Sequence, residues 1–75
     1  MKVLNELNLD EEAIVANMRC ESRRLRDLGL VEGTRVKCVL KSPLGDPAAY
    51  RIRGAIVAIR AEDASRIVVE ATGHE

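Results

Sequence analysis

Leu25-Arg26-Asp27-Leu28-Gly29-Leu30-Val31-Glu32-Gly33-Thr34 holds a helix end, two reversals and the start of a strand within ten residues. Leu25 and Leu28 lie three apart and share one face of a short helix. Gly29 comes next and takes a left-handed backbone without steric cost. Leu30 then stands where a Schellman cap folds an apolar side chain back onto Leu25. Glu32-Gly33 forms the second reversal, with Gly33 where a type II turn needs positive φ. The chain before this stretch therefore ends in a helix, and the chain after it reads as strands.

Upstream, Met1 to Leu9 is mixed, and Asp10-Glu11-Glu12 reads as an exposed acidic corner. Ala13 to Arg19 alternates, with Ile14, Ala16 and Met18 on one face and Val15 and Asn17 on the other. Good helix formers also permit a helix over Asp10 to Arg19. The β-branched residues and the helix that comes next favour a strand. Ser22 to Leu28 is that helix, with Ser22 as its N-cap and Leu25 and Leu28 packing down.

Downstream, Thr34 to Lys41 alternates, with Val36, Cys38 and Leu40 inward and Arg35, Lys37 and Lys41 outward. Ser42-Pro43-Leu44-Gly45-Asp46-Pro47 is the next turn, where prolines and a glycine forbid regular structure. Ala49 to Arg53 resumes the alternation, with Tyr50 and Ile52 inward. Gly54 marks a bulge or a tight bend. Ala55 to Arg60 is nearly all apolar, as for a strand covered on both sides or a barrel strand. Ala61 to Ser65 is a helical turn with Ala64 inward. Arg66 to Glu70 is a last strand with Ile67 and Val69 on one face.

The sum is a mainly β chain of about five short strands, with one short α-helix between strands 1 and 2. Such strands with tight connections favour a small closed barrel, which also removes aggregation-prone edges. The 75 residues form a single domain, with its core over about 10–70 and 71–75 as a frayed tail.

Composition narrows the function. The net charge is zero, yet Arg19 to Arg60 carries 10 basic and 4 acidic residues while the two ends carry 2 basic and 8 acidic. Mutual neutralisation of ends and middle accounts for this better than a basic binding face. Tyr50 is the one aromatic residue. One tyrosine cannot build the stacking platforms used for single-stranded nucleic acid or the grooves that take proline-rich peptides. Cys20 and Cys38 are too far apart for a CxxC motif and read as free thiols of a cytosolic protein. No apolar run reaches the ~20 residues that cross a bilayer.

The ordered set Arg24-Leu25-Arg26-Asp27-Leu28-Gly29-Leu30, Glu32-Gly33-Thr34, Ser42 to Pro47, Gly54, Ala58-Ile59-Arg60, Ala64 and Ile67-Val68-Val69 resembles the FeoA domain. The likeness runs from about Ile14 to Val69. It implies an SH3-like β-barrel with an inserted helix, and a cytosolic accessory role in ferrous iron uptake. The implied partner is a FeoB-like membrane GTPase transporter. A related domain closes iron-dependent repressors, whose DNA-binding and dimerisation parts are missing here. Glu32 stands where the family usually has proline, which fixes that corner less.

The residues carry little catalytic chemistry. His74 is the one histidine and lies in the tail, so no nucleophile–base pair sits on a rigid element. No phosphate-binding glycine loop occurs. The chain therefore reads as no enzyme and as having no cofactor. Cys20 and His74 are the weak metal candidates, too sparse for a ligand set, and stoichiometric Fe(II) binding is not expected. Cys38 reads as a small core residue.

Partner contact fits better. Pro43, Leu44, Gly45 and Asp46 form a stiffened loop that loses little entropy on docking, and Leu44 at its tip either meets a partner or plugs the barrel end. Arg23 and Arg26 offer a basic helix face. Leu25, Leu28, Gly29, Leu30, Gly33 and Gly54 are read as structural. The rival readings are a nucleic-acid-binding barrel, a metal-responsive module of the repressor type, and self-association.

Overall fold

A computed structural model describes residues 2–19, 23–44 and 46–71. The opening stretch folds as its glycines require. Helix α1 (Arg23–Asp27) ends when the Gly29 amide donates to the Arg26 carbonyl and the Leu30 amide to the Leu25 carbonyl, each at 3.0 Å. Gly29 has φ +100. These two bonds define a Schellman cap, and Leu25 and Leu30 are both fully buried. The Thr34 amide then donates to the Val31 carbonyl at 3.0 Å with Gly33 at φ +92, as a type II turn requires. The buried Thr34 hydroxyl donates to the Gly29 carbonyl at 2.8 Å and accepts from the Val31 amide at 3.3 Å, so one side chain braces both reversals.

Six strands make one antiparallel sheet: β1 (Lys2–Val3), β2 (Glu12–Met18), β3 (Arg35–Lys41), β4 (Ala48–Ile52), β5 (Ala55–Ile59) and β6 (Ile67–Ala71). A 3-10 turn over Leu4–Glu6 comes after β1, and α2 (Ala61–Ala64) joins β5 to β6. The strand order is β1-β6-β2-β3-β4-β5. The sheet curls around one aliphatic core in the SH3-like manner. In the ladder, β1 and β5 stand at the two ends of that order.

Two bulges correct the expected faces. In β2, Ala13 and Val15 are the core-facing residues, while Ile14 and Ala16 on the other face are half-buried. The register with β6 slips between Val15 and Asn17, which turns Met18 back onto the core. In β3, the register with β4 slips between Cys38 and Leu40, and Leu40 emerges 63% exposed instead of buried. Of the two expectations for β5, the one-sided strand is found: Val57 and Ile59 face the core, while Ile56 is 61% exposed. Gly54 belongs to a tight bend, a two-residue Arg53-Gly54 turn with φ +51 and +86 between the paired Ile52 and Ala55. Positive φ at both turn residues suits the twist of the hairpin.

The core also begins earlier than expected. Leu4 and Leu7 are fully buried, so residues before 10 belong to it. The single phenol is buried too, and its hydroxyl donates to the Leu4 carbonyl at 3.4 Å. Leu28 sits 37% exposed, because α1 is one turn long and the cap uses Leu30, not Leu28, against Leu25. The acidic corner is only partly exposed: Glu11 accepts from the Lys2 ammonium at 2.7 Å and from the Asn8 amide at 2.8 Å. Ser22 and the tail over 72–75 lie outside the described residues, and Ala71 ends β6.

Candidate functional site

The Ser42–Pro47 connection leaves β3 and returns into β4, and its ends are pinned by the Ser42 amide donating to the Pro47 carbonyl at 3.4 Å. Leu44 projects from it at 92% exposure, so it does not plug the barrel end. Pro43 is exposed as well, and Gly45 lies outside the described residues. Asp46 has a structural task beyond the proposed docking one. Its Oδ1 accepts the Ala61 amide at 2.9 Å, at a helix start where Arg60 provides no side-chain cap. The returning side of the loop is thus tied to α2 through Asp46.

Arg23 and Arg26 are exposed on α1, as expected of a basic helix face. Arg26 borders a shallow hollow of about 370 Å³ with Met18, Leu30, Val31 and Glu32. Neither this hollow nor the larger groove along β3 and β4 is lined by a described residue of the Leu44 loop. Cys20 and His74 lie outside the described residues. Cys38 is a buried free thiol in register with Tyr50, and burial pushes its pKa up, which keeps it protonated and unreactive. Among the described residues, no three His, Cys, Asp or Glu side chains gather as a metal site, and no helix is long and apolar enough to cross a membrane.

A larger groove, about 450 Å³, runs along the outer face of β3 and β4. Arg35, Lys37, Arg51 and Arg53 line it, with Glu12 at one side and Gly33 and Gly54 together at the end away from the Ser42–Pro47 turn. The alternation of β3 and β4 turns these side chains outward. What alternation alone cannot provide is the register, which sets Lys37 opposite Arg51. Pairing of the two strands across the Ser42–Pro47 turn is the sequence signal that leads to it.

Comparison with known proteins places these features in a family. Residues 2–71 match the model of the FeoA domain. The chain is 38% identical over 72 residues to an Fe(2+) transport protein A/Fe(2+) transporter FeoB fusion protein of Porphyromonas gingivalis, covering 89% of this chain and 8% of that protein. The solution structure of the FeoA protein from Chlorobium tepidum superposes with a TM-score of 0.90 at 34% identity, covering 97% of this chain and 72% of that one. The zinc-complexed FeoA of Stenotrophomonas maltophilia, described as a prokaryotic SH3 domain protein, gives 0.79 at 34% identity over 93% of this chain and 91% of that one.

Proposed function

The chain belongs to the FeoA domain family, and from that membership we propose that it is a small cytosolic accessory of ferrous iron uptake, acting by contact with a FeoB-type membrane GTPase transporter. The observation that carries this reading is the P. gingivalis relative, in which an equivalent domain is fused to the transporter on one chain. Fusion holds two partners at high effective concentration, and separate chains must replace that tether with a surface. Leu44, held outward on a loop anchored through Asp46, is the apolar contact such a surface needs. Pro43, Gly45 and the α1 face at Arg23 and Arg26 complete the proposed contact region.

The protein works without catalysis of its own, and Fe(II) is cargo of the transporter and no stoichiometric ligand of this chain. Docking alters transport only if the protein binds one conformational or nucleotide state of the transporter better than another. Binding to the purified full-length transporter, by surface resonance or calorimetry, tests the reading. Saturable binding that weakens in Leu44→Ala is expected. Absence of binding in every nucleotide state would overturn it.

A further inference from the structure

The cationic groove on the outer face of β3 and β4 shares no lining residue with the Leu44 loop or with α1. Its central row runs across four strands in register, Glu12–Lys37–Arg51–Ile56. Like charges directly opposite in a sheet repel, and Lys37 and Arg51 are such a pair. Arg35 and Arg53 flank them on the same side. Among the described residues the ion pair present is Lys2–Glu11, elsewhere in the fold, and Glu12 is the one carboxylate on this groove.

The row beside it is apolar. Leu40, Ala49 and Ala58 are paired across β3, β4 and β5, with Leu40 turned outward by the bulge. Ile56 closes the cationic row on the edge strand. Cations and exposed aliphatic side chains therefore lie side by side on one face, and among the described residues no strand pairs beyond β5. A nucleic acid backbone would find the charge, but the apolar row and the missing aromatics offer its bases nothing to stack on. A polypeptide that mixes carboxylates with aliphatic side chains matches both rows.

We propose that the outer face of β3, β4 and β5 binds an acidic segment of a partner protein, its carboxylates at Lys37 and Arg51 and its aliphatic side chains on Leu40 and Ile56. This rests on the reading that the protein acts through protein contact, and it does not require the partner to be the transporter.

The test uses the full chain, followed by two-dimensional amide NMR, and a short capped peptide of alternating glutamate and leucine. Saturable shifts centred on Lys37, Arg51 and Ile56 are expected. Affinity should fall roughly tenfold or more in Lys37→Glu with Arg51→Glu, and for a glutamate–serine peptide, with the amide spectrum otherwise unchanged. No saturation, shifts centred elsewhere, or equal affinity for the serine peptide would overturn the proposal. So would tighter binding of a single-stranded oligonucleotide than of the acidic peptide. Peptide binding at this face supports the proposal even if the transporter fails to bind, so the two readings fail separately.

Discussion

The Thr34 hydroxyl donates to the Gly29 carbonyl at 2.8 Å, joining the end of α1 to the start of β3. The same oxygen accepts from the Val31 amide. Thr34→Val keeps the shape and removes both bonds, which leaves a carbonyl and an amide to water in a part-buried corner. A loss of about 1–3 kcal/mol is expected, read as a lower urea midpoint at constant slope.

Gly29 is constrained twice. Its φ of +100 disfavours any side chain, and a Cβ there would collide with Cδ of Arg53. Gly33 has φ +92 but open space around the same position. Both glycine-to-alanine variants should lose about 1–2 kcal/mol from the backbone alone, and Gly29→Ala should lose more than Gly33→Ala. Adding Arg53→Ala should narrow that difference. Thermal melts resolve it, since 1 kcal/mol moves a domain of this size by about 4–8 °C.

Two leucines separate stability from contact. Leu4 is fully buried in a 3-10 turn, and Leu44 is 92% exposed. Leu4→Ala should cost about 2–5 kcal/mol. Leu44→Ala should change stability by no more than about 0.5 kcal/mol, so any loss of transporter binding in it reports the surface. Denaturant titration of both variants checks this.

Burial, with the nearby Cys38 thiol adding to it, pushes the Tyr50 phenol from 10.0 up to about 12. Up to the unfolded value of 10.0 both states keep the proton, and the contribution is constant. Between 10.0 and about 12 the unfolded chain ionises first, so stability falls as pH rises. The loss is about 1.4 kcal/mol for each unit of separation. Tyr50→Phe should remove this alkaline phase at little other cost, since the hydroxyl bond to Leu4 is long at 3.4 Å. Tyrosinate absorbance tracks the one phenol directly.

Glu11 behaves in the opposite sense. The Asn8 amide, and after it the Lys2 ammonium, hold its carboxyl below 4.5. Its contribution is present above the unfolded value and is lost as pH falls through the folded one. Lys2→Ala should raise the Glu11 pKa part of the way back, because the Asn8 bond remains. Carboxyl NMR titration of both proteins measures this.

The turns are legible in sequence because Gly29, Gly33 and Gly54 stand where a side chain would strain the backbone, and all three have positive φ. The two bulges are not, because Ala16 and Val39 carry no mark that distinguishes an extra residue from an ordinary strand position. The same gap puts Leu40 inside and keeps Met18 on the face of Ile14 and Ala16. Leu4 and Leu7 escape notice because a two-residue strand and a single 3-10 turn are too short to show a period. Of the Ser42–Pro47 loop, Leu44 can be read as a tip residue. The tie from Asp46 to Ala61 cannot, since it joins residues 15 apart through the fold. The cationic face is present in sequence as outward-facing residues, but its opposed Lys37–Arg51 pair exists only once β3 and β4 are in register.

Ferrous iron flux through the purified FeoB-type transporter in proteoliposomes, with and without this protein on the nucleotide-accessible side, tests the proposed function most directly. A change in initial Fe(II) uptake that saturates with added protein and diminishes with Leu44→Ala is the predicted result. Identical flux at saturating protein, in every nucleotide condition, would contradict it.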